Sequence, residues 1–562
     1  MSPQQGQGHG RRDENGPRGG GRPGDRRGGD HRGGDHRGGD RRDDRGAPRH
    51  GRDEKGRERS GSRGRGGPRR GWSESRPSER RRSSTSSRSV AYDSLRAVHE
   101  DDAYANLVLP HQLRRSRLHG RDAAFATELF YGTLRAQGRL DAILALCIDR
   151  PLEDVEDAVR DVLRLGAYQL LDMEVAPHAA TSETVALARQ TVGAGAASFV
   201  NAVLRRIGEK DLEAWVADAA PARSEDEVGH LAITHSHPAW VVRALSDSLA
   251  GHGRDRSEID DLLAAQNTAP SVSLVMRPGL TDADELAAAG AEPGRLSIFA
   301  ASWPGGDPGT AAPVAEGRAA VQDEGSQLMA LALGIGADDA VRSADAHWLD
   351  LCSGPGGKTA LLAGLAVEHD ADLLALEIQP HRVDLVRRAV GTLVDAGAEV
   401  EVRAGDGTEI GGKSPSSFSR VLADVPCTGM GALRRRPESR WRRSPGDVAA
   451  LGRLQRDLLA SALDATEPGG VVAYVTCSPH VAETLLVVRD VLRRREDVEQ
   501  LDARDAVRAG LRADAADIDL GAGPSVQLWP HVHGTDGMFI ALLRRLPEAH
   551  PDHDDPSEGT HR

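Results

Sequence analysis

The chain of 562 residues carries 72 Lys+Arg against 85 Asp+Glu, a formal charge of −13, and its length asks for about three domains at roughly 100–200 residues each. The charge is uneven: residues 1–90 hold 25 basic and 13 acidic side chains, net +12, and the remainder carries −25, so a basic arm precedes an acidic body. No apolar run approaches the roughly 18 residues of a membrane span, and the first residues are Gly, Arg and Asp rather than an apolar signal segment, so a soluble, cytoplasmic protein without a membrane partner is expected. The four cysteines, Cys147, Cys352, Cys427 and Cys477, are too few and too scattered for a disulfide framework and form no CxxC pair, so free thiols and no metal are expected.

Residues 1–88 are low in complexity, with GGDHRGGDHRGGD at 28–40 and a Ser-rich run at 83–89. Such a segment cannot bury enough apolar surface to offset the entropy of folding, and a disordered arm is expected. Its arginines suit a nucleic-acid backbone; its interspersed aspartates suit a solubilising tail equally well. From Val90 the spacing becomes helical. Phe125 and Leu129 are four apart, Leu140, Ile143, Leu144 and Cys147 follow at three and four, and AVRDVLRLGAYQLLDM (158–173) repeats the habit, which predicts an all-helical domain over 89–220 with Cys147 in its core.

Residues 221–320 predict a small α+β connector, with strands at SVSLVMRP (271–278) and LSIFA (296–300). HSHPAW (235–240) reads as a helix start with Pro238 in the first turn, and its two histidines lack the further ligands a metal requires. After Val321, short apolar strands alternate with amphipathic helices, which predicts an α/β Rossmann-like domain over 321–545, its sheet mainly parallel, followed by a disordered tail over 546–562. In such sheets ligands bind beyond the carboxyl ends of the strands.

The chemically suggestive residues fall at those ends. The strand WLDL (348–351) runs into CSGPGGKT (352–359), where Gly354, Gly356 and Gly357 permit a tight turn and close approach to a ligand. The pattern is neither a Walker A loop nor GxGxxG, which disfavours a phosphate cradle. Glu377 ends the next strand about 20 residues on, where a carboxylate can accept ribose hydroxyls, and Asp406 follows the third, suited to an adenine amino group. An adenosine pocket without a phosphate site favours S-adenosyl-L-methionine over NAD or ATP. Two later strands end in VLADVPCTGMG (421–431) and VVAYVTCSPH (471–480), each presenting a cysteine, Cys427 and Cys477. A thiolate is a strong nucleophile. The reaction that joins a methyl donor to such a nucleophile is methylation at carbon 5 of a pyrimidine, in which thiol addition at carbon 6 makes carbon 5 nucleophilic. Asp424 stands beside the first cysteine, suited to the N3 edge of the base.

The motifs CSGPGGK (352–358), DVPCTGMG (424–431) and TCSPH (476–480) resemble those of the Sun-type RNA cytosine-5 methyltransferases, and most closely the RsmB-type enzymes acting on bacterial ribosomal RNA. QDEGSQL (322–328) is similar to the segment opening that family's catalytic domain and TDGMFIALL (535–543) to its closing strands; ELFYGTLR (128–135) and FVNAVLRRI (199–207) resemble its NusB-like helical domain. The resemblance implies that Cys352, Ser353, Gly354, Pro355, Gly356, Gly357 and Lys358 wrap the methionine part of S-adenosyl-L-methionine. It implies further that Glu377 holds the ribose, Asp406 the adenine, and that Asp424 faces both cofactor and base. It makes Cys477 the nucleophile and Cys427 the thiol that assists product release. Spacing alone does not choose between the cysteines, and DNA cytosine-5 enzymes use a Pro-Cys nucleophile. The sequence departs from the family at Ser353–Gly354 and at VAET (481–484), where only Glu483 remains of an acid-Asn-acid run.

ALRRRPESRWRR (432–443) follows the Pro-Cys loop directly and groups Arg434, Arg435, Arg436 and Arg440 with Trp441. Arginines pair with phosphates and an indole stacks on an extruded base, so this run is expected to bind RNA. The reading is a monomeric, S-adenosyl-L-methionine-dependent RNA cytosine-5 methyltransferase whose partner is ribosomal RNA, with the NusB-like helical domain over 89–220 and the basic arm gripping the RNA and the Rossmann-like domain supplying the chemistry. A DNA cytosine-5 methyltransferase and a non-catalytic RNA-binding assembly factor are the alternatives.

Overall fold

The computed structural model describes residues 86–547 apart from residues 343 and 345. The arm expected over 1–88 and the tail expected over 546–562 thus lie outside the described residues, except at their inner ends. There the arm's limit shifts: Ser86 accepts the Ser89 amide at 3.2 Å and caps a helix beginning at Ser87.

Seven helices come first: α1 (Ser87–Glu100), α2 (Ala105–Ser116), α3 (Gly120–Cys147), α4 (Asp157–Leu171), α5 (Pro177–Thr191), α6 (Ala194–Ile207) and α7 (Leu212–Ala219). Their apolar stripes close one core that includes Leu95, Leu129, Phe130, Leu140, Val162 and Leu204, with Cys147 buried at the end of α3. A polar knot lies inside it. Asp161 of α4, almost fully buried, accepts from Arg96 at 2.9 Å and Arg164 at 3.0 Å and bonds His99 at 2.9 Å, so its charge is paired rather than stranded.

Three further helices, α8 (Glu227–Thr234), α9 (Ala239–Gly251) and α10 (Ile259–Asn267), precede a small antiparallel sheet. Its strands β1 (Val272–Met276), β2 (Glu292–Pro293), β3 (Ala300–Trp303) and β4 (Ala319–Val321) lie in the order β2-β3-β1-β4. Two local expectations shift. Pro238 is the residue before α9 rather than inside its first turn. Of LSIFA only Ala300 is in a strand, because the Glu324 carboxylate accepts the amides of Leu296 (2.6 Å) and Ser297 (2.9 Å) and holds that segment in a turn.

The larger sheet contains β5 (His347–Asp350), β6 (Asp372–Glu377), β7 (Val400–Ala404), β8 (Phe418–Asp424), β9 (Thr466–Thr476), β10 (Val498–Leu501), β11 (Val526–Gln527) and β12 (Phe539–Arg545). The order is β10-β12-β9-β8-β5-β6-β7, with β11 on β12. Strands β5 to β9 pair in parallel, whereas β12 inserts antiparallel between β9 and β10. Side chains alternate across the sheet, so one strand serves two cores. Trp348, Leu422 and Val471 pack with helices 324–334 and 357–368, while Leu349, Val421 and Val472 pack with helices 445–465 and 485–492. Because β5 pairs with β6 on one side and β8 on the other, the chain reverses direction of travel across the sheet at β5. In open α/β sheets ligands bind beyond the carboxyl ends of the strands at such a reversal point. No helix among the described residues is long and apolar enough to cross a membrane.

Candidate active site

The loop after β5 is held from below. Ser353 donates through both its amide and its hydroxyl to the Leu376 carbonyl, each at 2.8 Å, which ties the loop to β6. Thr359, in the first turn of the following helix, donates to Asp350 at 2.7 Å and so joins strand end to helix start. Gly356 has φ +105°, a conformation that favours glycine, and a Cβ on Gly354 would sit 2.1 Å from Glu377 Oε2. Glycine at 354 is therefore what lets the loop and the strand-end acid share one space.

Glu377 is buried; its Oε1 accepts the Gln379 amide at 2.9 Å and its Oε2 lies 3.4 Å from Arg382. Asp406 uses Oδ1 alone to cap the next turn, accepting the Thr408 amide (2.9 Å) and hydroxyl (2.8 Å), which leaves Oδ2 outside the cap. The Gly405 amide donates to the Glu377 carbonyl at 3.1 Å, so the two acids stand side by side. Acid oxygens beside a glycine turn suit the hydroxyls and amino group of an adenosine. Lys358 donates to Asp424 at 2.8 Å. Burial opposes the lysine's charge, but Asp424 outweighs it and its pKa is raised.

Strand β8 ends at Asp424 and its neighbour β9 at Thr476, so the residues that follow each strand emerge together. Cys427 and Cys477, fifty residues apart, have their sulfurs 3.3 Å from each other. Neither is sealed off from solvent. The two loops are stitched by the Gly431 amide on the Cys477 carbonyl (2.9 Å) and by a fully buried carboxylate, Glu483. Its Oε1 accepts the Thr428 amide at 2.8 Å, and its Oε2 accepts the hydroxyls of Thr428 (2.5 Å) and Ser478 (2.6 Å). One acid therefore holds the residue after each cysteine.

The surroundings make the thiols unequal. The contact with Cys427 and the nearby Arg436 and Lys358 cations lower the pKa of Cys477 against its burial and the Asp424 charge. The contact with Cys477, burial and Glu483 push Cys427 well above the ordinary thiol range. The two titrations are tied together by the sulfur–sulfur contact, which favours one thiolate rather than two.

The sequence marks Glu483 as the one acid kept in VAET (481–484) but gives it no role, and a second residue escaped the sequence reading altogether. Asp350, the last residue of β5, is an acid in an apolar strand; burial raises its carboxyl to about 7, against the Thr359 hydrogen bond and with the Asp424 charge adding to the rise.

The arginine run is corrected in part. Arg440 is 1% exposed. It donates to the carbonyls of Ser236 (3.0 Å), Arg135 (3.3 Å) and Gln266 (3.3 Å) and to the Asn267 amide oxygen (2.8 Å). Arg434 is buried between Asp323 (2.6 Å) and Asp536 (3.0 Å), and Arg435 pairs with Asp536. Trp441 lies against Gly138 of α3, where an added Cβ would meet its ring at 2.3 Å. Of the five side chains expected on RNA, Arg440 and Trp441 instead fasten the segment after the Pro-Cys loop to the helical segment, Arg434 ties it to Asp323 and Asp536, and Arg436 alone is exposed. An arginine presents five donors in a fixed fork and satisfies convergent carbonyls as readily as phosphates.

A mainly parallel sheet with an inserted antiparallel strand, a glycine turn and two acids at neighbouring strand ends, and two thiols past the next strands, has the layout of a nucleoside-cofactor transferase. The profile described as 16S rRNA methyltransferase RsmB/F matches residues 341–544, and that of the NusB family matches residues 85–209. A Mycobacterium tuberculosis protein described as a methyltransferase is 50% identical over 83% of this chain and 98% of its own length. The ribosomal RNA small subunit methyltransferase B of Pseudomonas putida is 30% identical over 82% of this chain and 98% of its own. The solved structure of PH0851 shares the fold with a TM-score of 0.66 at 20% identity, covering 81% of this chain and 98% of that one. The chain belongs to the RsmB/F family of 16S rRNA methyltransferases, and its methyl donor is S-adenosyl-L-methionine.

Proposed function

We propose that the protein methylates carbon 5 of a cytosine in 16S ribosomal RNA through a covalent adduct on Cys477. The observation that carries this reading is the pair of sulfurs 3.3 Å apart with opposite pKa shifts. S-adenosyl-L-methionine, when bound, supplies an electrophilic methyl group. Residues Cys352, Ser353, Gly354, Pro355, Gly356, Gly357 and Lys358 line its methionine end, with Glu377 at the ribose and Asp406 at the adenine. The Cys477 thiolate adds to carbon 6 of the cytosine and turns the ring into an enamine, so that carbon 5 becomes nucleophilic and accepts the methyl group. Asp424, held by the Lys358 ammonium, faces the N3 side of the base; a proton passed to N3 through this pair offsets the charge that thiolate addition develops there and returns when the ring is restored. Loss of the carbon 5 proton to a water molecule expels the Cys477 sulfur as a thiolate and restores the ring. Cys427, whose sulfur is 3.3 Å from that of Cys477, assists the release by hydrogen-bonding the departing thiolate.

The test uses 16S rRNA transcripts and bisulfite mapping. The wild-type chain is expected to protect one cytosine. Cys477→Ala should lose both methylation and adduct, and Cys427→Ala should remain trapped on the RNA. Trapping by Cys477→Ala with none by Cys427→Ala would reverse the roles and favour the Pro-Cys chemistry of DNA enzymes. RNA binding with no methyl transfer by the wild type would leave the assembly-factor reading.

A further inference from the structure

The outward face of α2 is unlike the rest of this acidic body. The helix has the sequence ANLVLPHQLRRS and contains no acid. At 100° per residue, Tyr104 at its N-cap, Leu107, His111, Arg114 and Arg115 share one side, while Ala105 and Leu109 on the other side are buried. Tyr104 is 50% and Leu107 64% exposed, and His111, Arg114, Arg115 and Arg117 are exposed as well. Among the described residues none of these three arginines forms an ion pair, and Arg115 feels only the more distant charge of Asp93. Cations in the last turn complement a helix dipole. That accounts neither for Arg117, beyond the helix, nor for the two large exposed side chains at its start.

The N-terminal end of this face is joined to the catalytic loop. The Ala105 amide donates to Glu438 at 3.2 Å, and the Tyr104 ring lies 5.5 Å from the Arg436 guanidinium and 6.0 Å from that of Arg442. Arg436 also lowers the pKa of Cys477. An aromatic-basic strip therefore starts at the segment that follows the Pro-Cys loop and runs along α2 for about 18 Å at 1.5 Å per residue.

We infer that the outward face of α2, from Tyr104 to Arg117, is a track for the RNA strand that leaves the catalytic pocket. Its arginines pair with phosphates, and Tyr104 and Leu107 support an unstacked base. The inference rests on the proposed function for the identity of the polyanion, but its test needs no turnover. The full chain carrying Arg114→Glu, Arg115→Glu and Arg117→Glu together is titrated with a 16S rRNA transcript over a series of salt concentrations. Loss of three phosphate contacts is expected to reduce the slope of log affinity against log salt by about 2–3 and weaken binding more than about 10-fold at physiological salt. The triple Lys variant should restore both, and the melting temperature should match that of the wild type. Unchanged affinity and slope in the Glu variant would overturn the track. So would a change in oligomeric state, which would make a second copy the occupant. Absence of methylation by the wild type, with this binding pattern intact, would overturn the proposed reaction and leave the track standing.

Discussion

Replacing Glu483 by Ala removes one carboxylate and strands three donors at once: the Thr428 amide, the Thr428 hydroxyl and the Ser478 hydroxyl. Leaving a buried donor without a partner costs about 1–3 kcal/mol each. The two hydroxyls lie 3.3 Å apart and can satisfy one another in part, so the net loss is set at about 3–5 kcal/mol. The catalytic effect follows from geometry, since these residues adjoin Cys427 and Cys477, and a displacement of about 1 Å between reacting groups costs about 100-fold in rate. Cofactor affinity should persist, because Glu377 and Asp406 belong to other strands. Glu483→Gln keeps an acceptor for the Thr428 amide and should recover most of the stability. It also removes the charge that helps hold the Cys427 thiol protonated, so Cys427 should become alkylated at lower pH than in the wild type. Urea unfolding, adduct yield on RNA and iodoacetamide labelling against pH read these effects in turn. Wild-type stability in Glu483→Ala, or an unmoved Cys427 profile in Glu483→Gln, would refute the assigned role.

Arg440→Met should destabilise by about 2–4 kcal/mol, since it leaves several buried oxygens without donors; hydrogen exchange should rise in residues 430–443 and in 135–138 together, and a rise in only one of them would deny that Arg440 joins the segments. Asp350 gives a pH signature. Its folded carboxyl titrates near 7 against an ordinary 3.8, so the native state binds the extra proton and stability falls as pH climbs from about 4 to about 7, by about 3–5 kcal/mol in all. Asp350→Asn should flatten that component and exceed wild-type stability at pH 8 while falling nearer to it at pH 5. Parallel curves for the two proteins across this range would sink the reading.

The parts of the site carried by local pattern were legible in the sequence. The glycine turn, the acids ending β6 and following β7, and the two cysteines past β8 and β9 all announce themselves through strand-then-turn grammar and residue chemistry. Residues whose meaning depends on a distant partner were not legible. Arg440 looks the same in sequence whether its fork meets phosphates or the carbonyls of Ser236 and Gln266. Glu483 shows its purpose only when β8 and β9 lie side by side and bring Thr428 and Ser478 to it. The turn at 296–299 has the composition of a strand, and the carboxylate of Glu324 decides otherwise. The α2 face lay open in the sequence as LRRSR, but only the fold sets its start beside the catalytic loop.

Strand β12, the last among the described residues, sits in the middle of one side of the sheet, between β9 and β10. During synthesis the strand that delivers Cys477 therefore emerges with one edge bare, and no earlier segment can take the place reserved there. Residues 539–545 must leave the ribosome before that vacancy is filled. Unfinished chains would carry an adhesive edge right next to their reactive sulfur. Competence is thus withheld until residues 539–545 have been made, and a premature stop upstream of Phe539 should yield an aggregating product instead of a partly active one.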